Sequence, residues 1–478
     1  MMRRLGILLL LPVLLAAAAC LELGPEYRRP GLDVPSAFQH AAGTAAYLER
    51  DKWWRDFGDQ RLDALVQEAL AHNLELKKAA ARVLELRARF SEAGSYLYPS
   101  LSLEAQAKRQ QTLDLSESLP PYMQSDRRTE TYNLSLAAGY EVDLWGKLSL
   151  GARAAGQDLL AAQENRRTVA QTLVAQVVSA YLNLQALERR LAVSRQSIQA
   201  VELSLAVVDS RYRHGLTSVL DLTQARRTLA QARAFRPTLR LELARAQQKL
   251  ALLLGRYPRT SPSRSQPENY FPHLKPVPPG LPSDLLKRRP DLRAAEARLR
   301  ALNARVGQAL AARFPSLKLT AAFGYSSSAL GALFNPASEL WNLAAGLTQP
   351  IFDAGRLKSR QEAAQARLEQ GKAEYAQAVL NAFKEVEEAL VTRQELMARR
   401  RLLLQALEQA VATQDTATER YQRGLTDYLR VLEAMRSRYE IEDNLILLEL
   451  AILTNRVSLY RALGGGWEHL PPVGKGKS

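Results

Sequence analysis

The side chains able to do chemistry in this sequence are few and scattered. His40, His72, His214, His273 and His469 are the only imidazoles, and no two share a metal-ligand spacing such as His-Glu-x-x-His. Cys20 is the only thiol. The serine elbow Gly-x-Ser-x-Gly is absent, and Gly476-Lys477-Ser478 mimics the close of a phosphate loop but has Pro471 where the leading glycine belongs. The sequence therefore predicts no enzyme, no metal and no cofactor. Asp415 and Glu419 are a different arrangement: four residues apart, they place two carboxylates on one helix face.

Cys20 has its own setting. Arg3 and Arg4 precede an apolar run from Leu5 to Leu15, followed by Ala16 to Ala19 and the cysteine. That order is an export signal, and the run is shorter than the ~20 residues of a membrane-crossing helix. The segment resembles a bacterial lipobox, with Ala17 where that motif prefers Leu. The resemblance implies that 1–19 is a lipoprotein signal peptide, that Cys20 carries a covalent lipid, and that Leu21 permits sorting to the outer membrane. The formal charge of +16 falls to +14 once Arg3 and Arg4 leave. The basic residues lie among Glu and Gln without aromatic clusters, so they read as a solvated helix surface and exclude a nucleic-acid partner.

The elements that must position these residues are duplicated. Arg211–Gly255 lies over Arg420–Gly464 at a constant offset of 209, with 13 identities in 45 positions. Tyr98-Pro99-Ser100-Leu101 likewise matches Phe314-Pro315-Ser316-Leu317 at an offset of 216. A period of this length is too long for a solenoid repeat, so each half is a large assembly packed on its twin. The first repeat is expected over 20–255, a Pro-rich linker over 256–280, the second repeat over 281–464 and a tail over 465–478.

Each half carries two period-two runs. Leu101, Leu103, Ala105 and Ala107 share one face, as do Tyr132, Leu134, Leu136, Ala138, Tyr140 and Val142. Leu317, Leu319, Ala321, Phe323 and Tyr325, with Trp341, Leu343, Ala345 and Leu347, repeat the pattern. Hairpins follow at 99–142, around the polar stretch Gln110–Arg128, and at 315–350. The runs have the length of tilted membrane strands. Four strands leave two open edges that lipid cannot satisfy, so copies must combine. Strand count leaves dimers and trimers both open. The other reading of the strands is a pair of soluble hairpins covered by helices.

Proline is absent from Lys147–Tyr212 and Ala354–Tyr421, which predicts two helices on the order of 100 Å long. Leu368, Tyr375, Val379, Ala382, Val386 and Leu390 mark a coiled-coil stripe in the second, and Tyr181, Leu184, Leu187 and Leu191 one in the first. Gly215 and Gly424 punctuate the chain before returning helices over Val219–Leu254 and Tyr428–Leu463. Shorter helices over Leu74–Leu97 and Asp291–Phe314 lead into the strands, where Pro99 and Pro315 block continuation.

In order, the markers are Gly-Pro-Glu-Tyr-Arg-Arg-Pro at 24–30, Trp53-Trp54 with Phe57, Tyr140-Glu-Val-Asp-Leu-Trp-Gly-Lys147, and Arg288-Arg-Pro-Asp-Leu-Arg293 with Ala295-Glu296. Gln349-Pro-Ile-Phe-Asp-Ala-Gly-Arg356, Ala382-Phe-Lys-Glu-Val-Glu-Glu-Ala-Leu390 and Ala462-Leu-Gly-Gly-Gly-Trp467 complete the series. Together they resemble the outer-membrane factor family, the TolC-like exit ducts of tripartite efflux pumps, in its lipoprotein branch. The resemblance implies a mixed α/β membrane protein, a homotrimer whose twelve strands form one β-barrel continuous with a long periplasmic α-helical barrel. It implies residence in the outer membrane with most of the mass in the periplasm. The belt around the tube would come from Cys20–Asp59, Arg256–Gly280 and the tail after Gly464.

The same resemblance implies passive export of small molecules, drugs or other toxic compounds among them. The partners would be a periplasmic adaptor and an inner-membrane transporter of the proton-driven RND type. The adaptor would dock at the helix turns, here Arg213, Gly215, Leu216 and Thr217 with Arg423, Gly424, Leu425 and Thr426. Asp415 and Glu419, with Arg420 or Arg423 as partners, would form a periplasmic gate. A duct for protein secretion or metal efflux shares this architecture, and a lipid-anchored periplasmic coiled-coil scaffold is the reading of another class.

Overall fold

The computed structural model describes residues 23–31, 34–40, 52–111, 128–258, 277, 278, 280, 282–467 and 470. The signal peptide, Cys20, most of the Pro-rich linker and most of the tail lie outside the described residues. After a short 3-10 turn at Trp53–Phe57 come α1 (Gln60–His72), α2 (Leu74–Ser95), β1 (Ser100–Gln111), β2 (Arg128–Val142), α3 (Lys147–Arg213) and α4 (Val219–Leu253). The second half continues with α5 (Pro282–Arg288), α6 (Pro290–Ala311), β3 (Ser316–Ser327), β4 (Glu339–Thr348), α7 (Arg356–Gln422) and α8 (Tyr428–Ala462).

Four pairs of elements in the two halves have equal lengths. The helices α2 and α6 have 22 residues each, β1 and β3 have 12, α3 and α7 have 67, and α4 and α8 have 35. Helix α4 even contains Pro237, which removes one ladder hydrogen bond but faces solvent. Strands β1 and β2 run further into the expected polar loop than alternation alone indicated, because Gln110↔Thr129 and Gln111↔Arg128 continue the ladder.

The chain divides into two compact units. The first holds the residues up to Pro30, Leu84–Ala161 and Ala295–Tyr375. At its centre is an antiparallel four-stranded sheet in the order β1-β2-β3-β4. Register carries the alternation across all four strands: Leu103 pairs with Leu136, Leu136 with Phe323 and Phe323 with Trp341. One face is therefore continuously apolar. The opposite face is small or polar, with Gln106↔Asn133, Asn133↔Ser326, Gly139↔Thr320 and Thr320↔Ala344.

The strand-to-helix elbows explain two of the sequence markers. Asp143 accepts the Leu148 and Ser149 amides at 2.9 and 2.8 Å, and Asp353 accepts those of Gly355 and Leu357 at 3.0 Å. These bonds satisfy free N–H groups at the start of each 67-residue helix. Gly146 and Gly355 supply the left-handed turn, at φ 75° and 81°. The Trp145 indole donates to the Pro315 carbonyl at 2.8 Å and pins β2 to the start of β3.

The marker at 24–30 is a strap on α6. Asn303 donates to the Pro25 carbonyl at 2.7 Å, and a Cβ on Gly307 would sit 2.7 Å from the Gly24 Cα. Glu296 binds Arg29 and, at 2.8 Å, Arg300, whose guanidinium lies 5.2 Å over the Tyr27 ring.

The second unit holds Gly31–Val83, Ala162–Ala294 and Ala376–Ser478. Its core is built from the predicted stripes: Tyr181, Leu184, Leu187 and Leu191 on α3, and Val379, Ala382, Val386 and Leu390 on α7, are all buried. Trp53 stacks on Tyr460 at 4.9 Å, and the Tyr460 hydroxyl donates to Asp56 at 2.7 Å. Arg289 of the Arg-Arg-Pro-Asp marker binds Asp291, Glu385 and the Ala462 carbonyl at the end of α8. Burial works against its charge, but the two carboxylates outweigh it and push the guanidinium pKa up.

Candidate functional site

Two places are built for contact with something else: the open sheet and the paired helix turns. In the sheet, β1 and β4 are exposed along their whole length. Leu101, Leu103, Trp341, Leu343 and Leu347 are each two-thirds or more exposed, although they belong to the apolar face. Unpaired edge groups beside exposed large apolar side chains are the signature of a sheet that is incomplete as a single chain.

The turns follow from sequence with little freedom. Gly215 and Gly424 adopt φ of 72° and 74°, a region costly for any residue with a Cβ. Leu216 N donates to Arg211 O and Leu425 N to Arg420 O, both at 2.8 Å, while each glycine N–H bonds one residue further along. Both helices thus end in the same left-handed cap. The returning helices start on Ser218, in a capping box with Asp221, and on Asp427, which accepts the Arg430 amide at 3.2 Å.

Beneath the turns, Val201, Val208, Leu222, Ala225, Leu229, Tyr421, Tyr428, Val431, Leu432 and Met435 form one apolar cluster. Arg211 ties the two turns, donating to the Tyr421 carbonyl at 2.8 Å with its guanidinium 4.8 Å over that ring. Burial pushes the Tyr428 hydroxyl up, partly offset by its hydrogen bond with Ser204 at 2.9 Å. This packing leaves the turn leucines outside. Leu216 is 66% exposed and Leu425 62%, and Leu220 and Leu429 continue the apolar surface onto the returning helices.

The sequence-predicted residues are distributed as follows. Arg213 pairs with Asp209 at 2.5 Å, and Thr217 donates to Asp221 at 2.6 Å. Arg423 pairs with Glu419 one helical turn earlier. Thr426 is half-buried. Asp415, Glu419 and Arg420 are exposed on α7, and neither Asp415 nor Arg420 has an ion-pair partner among the described residues. Cys20 lies outside the described residues.

Sequence reasoning missed a buried ionic cluster beside the tail. Glu164 is 1% exposed and receives both Arg167 and Arg293 at 2.6 Å. The two guanidiniums lie 4.7 and 5.7 Å over the Trp467 ring. The signal was present in the Arg288–Arg293 and Gly464–Trp467 markers, but spacing on one chain does not show that they converge.

The model of the outer membrane efflux protein family matches residues 65–256 and 281–465. The chain belongs to this family. It is 35% identical to the cation efflux system protein CusC of Escherichia coli over 95% of this chain and 98% of that protein. It is also 35% identical to the pyoverdine export outer membrane protein OpmQ of Pseudomonas aeruginosa, over 94% of this chain and 96% of that one. Among solved structures, the outer-membrane channel OprN matches with a TM-score of 0.86 at 29% identity, covering 93% of this chain and 99% of that one. CusC matches at 0.84 and 33%, over 93% of this chain and 100% of that one.

The fold expected from strands and long helices is thus that of outer-membrane channels, and the resemblance read from the ordered markers is borne out. The protein resides in the outer membrane and serves efflux transport. A family of channels also accounts for the exposed sheet edges, which a soluble scaffold would cover.

Proposed function

We propose that three copies of this chain pool their sheets into one twelve-stranded barrel, through which small molecules leave the periplasm passively. The observation that carries this reading is the pair of fully exposed edge strands on a sheet with one continuous apolar face. Joining β4 of one copy to β1 of the next satisfies both edges, turns Leu103, Leu136, Phe323 and Trp341 to lipid, and lines the pore with Thr131, Asn133, Ser135, Thr320 and Asn342. Such a wall is polar, with both signs of charge from Glu104, Lys108, Glu141 and Lys318 of each copy on the same face, suited to many solutes and selective for few.

Cys20 carries the lipid that ties the chain to the outer membrane. The turn surface around Gly215, Leu216, Gly424 and Leu425 receives the helical hairpin of a periplasmic adaptor, which connects to a proton-driven inner-membrane transporter of the RND type. A rigid cap with an exposed leucine supports that assignment. Asp415 and Glu419 lie at the same end of α7, so threefold repetition makes them a carboxylate ring that narrows the opening and favours cations. Arg423 holds Glu419, and Arg420 supplies a second cation beside the ring.

The cargo is drugs or other toxic organic compounds. Metal export is the second reading, favoured by the 35% identity to a protein named for cation efflux. A deletion strain decides between them. Hypersensitivity to dyes, detergents and antibiotics, restored by the gene, supports organic cargo, whereas hypersensitivity confined to copper or silver salts overturns it. Wild-type tolerance of both in a strain without other ducts overturns the efflux assignment altogether.

A further inference from the structure

Helix α3 presents two different faces where the belt segment meets it. On one, Tyr181 donates to Asp59 of that segment at 2.7 Å, and Gln171 donates to the Arg461 carbonyl at 2.8 Å. On the other, Thr172, Gln176, Ser179 and Asn183 recur every three or four residues. Ser179 and Asn183 are each two residues from Tyr181, hence about 200° round the helix from it. Helices α4 and α8 flank this second face and leave two hollows of about 290 and 420 Å³. Asn183, Ala246 and Lys249 line both, so the hollows form one groove.

The groove has an apolar floor and a basic rim. Ala175, Ala186 and Leu187 of α3 and Leu450 and Val457 of α8 make the floor, which contains no aromatic ring. Arg245 and Lys249 of α4 and Arg461 of α8 make the rim. Arg245 and Lys249 are exposed and have no acidic partner among the described residues. Arg461 stands 3.7 Å from Glu385, which Arg289 holds more closely at 2.8 Å. Among the described residues Glu242 is the only carboxylate on the lining, and it is shared with Arg190, which also binds Asp443 at 2.7 Å. The charge left over in the groove is positive.

Distance keeps that charge from being cancelled. At 1.5 Å per residue the α3 positions of the groove lie roughly 40 to 65 Å from the Gly215 turn, whereas Asp415 and Glu419 lie within about 15 Å of the paired Gly424 turn. The gap exceeds the screening length of about 8 Å in physiological salt. Unpaired cations beside apolar surface are a match for a solute that is itself apolar with an anionic head. The body covers the floor and excludes water, and the head gains charge-assisted hydrogen bonds from the rim. An organic cation meets repulsion here and finds no ring for a cation–π contact.

We propose that this groove is a binding site for amphiphilic organic anions, carboxylates or sulfonates on an apolar body, in transit through the duct. The transit role rests on the trimeric reading: with the belt outside the tube, the face of α3 opposite Tyr181 belongs to the inner wall, and each copy supplies one groove. Arg245 and Lys249 hold the head, and Thr172, Gln176, Ser179 and Asn183 hydrogen-bond along the body. Two of the cations that the sequence presents as solvated helix surface thereby set a preference among organic cargo.

A thiol placed in the groove tests it in the full-length protein, whose only native thiol is Cys20 and whose parent form serves as the blank. In detergent-extracted Asn183→Cys, the anionic reagent methanethiosulfonate ethylsulfonate is expected to react about tenfold faster than its trimethylammonium analogue, each rate taken relative to free cysteine. Adding Arg245→Gln and Lys249→Gln is expected to bring that ratio close to one. With the neutral reagent N-ethylmaleimide, 1-naphthalenesulfonate at ten times its Kd is expected to slow labelling about tenfold, and 1-naphthylmethylammonium to leave it unchanged. Parent oligomers on unboiled gels with no charge preference, or with equal protection by both naphthalenes, would overturn the anion site and leave the duct standing. A thiol closed to all three reagents in both Asn183→Cys and Ser179→Cys would show the groove covered by protein and overturn the site as well. Absence of any parent oligomer would remove the duct, and the transit role with it, whatever the labelling.

Discussion

Replacing Glu164 with Gln removes the one anion from a cluster of two arginines and a tryptophan while keeping the side chain's size. Both ion pairs are 2.6 Å long and Glu164 is 1% exposed, so the carboxylate is worth far more than a surface partner. Breaking a fully buried pair costs about 3–5 kcal/mol. Arg167 and Arg293 are each 35% exposed, so water screens part of the charge left behind and the expected cost is about 2–3 kcal/mol. At 1.36 kcal/mol per factor of ten, that is roughly a 30- to 150-fold rise in local opening. Native-state amide exchange read by mass spectrometry over the first third of α3, around Glu164 and Arg167, the start of α6 and Gly464–Trp467 measures it directly. Trp467→Leu, which removes cation–π contacts of about 1 kcal/mol, is expected to move the same peptides less. A change below about threefold in Glu164→Gln would refute the view that this carboxylate holds the tail region.

Other consequences follow from the turns and the anchor. Gly424→Trp forces a bulky residue into φ 74° at an exposed turn and is expected to abolish export with oligomers unchanged; normal export would remove the turns from adaptor docking. Cys20→Ala is expected to abolish incorporation of radiolabelled palmitate, and continued labelling would exclude this residue as the anchor. Tyr428 has a raised pKa, so its neutral form is favoured by folding: stability at the turns is complete below about pH 10, where an unfolded tyrosine titrates, and is lost as pH rises through the higher folded value. In Tyr428→Phe that alkaline loss, followed by amide exchange of α8, is expected to diminish, and an unchanged profile would assign it elsewhere.

Much of this fold was legible because its physics is local. Period-two runs gave the four strands, proline-free stretches gave the two long helices, and Gly215 and Gly424 gave the turns to the residue, since only glycine takes those angles without strain. The offsets of 209 and 216 foretold elements of matching length. What was not legible depended on convergence of distant segments. Glu164 reads as one more helix-surface glutamate until α6 brings Arg293 and the tail brings Trp467. Arg289 reads as a surface cation until it meets Glu385 and the Ala462 carbonyl.

The measurement that bears most directly on shared strands is native mass spectrometry of the detergent-extracted protein, followed by reconstitution of the same sample into planar bilayers. Pooling four strands from each copy predicts the mass of three chains and discrete, long-lived conductance steps. A monodisperse single chain, stable in water without detergent and silent in bilayers, would contradict it.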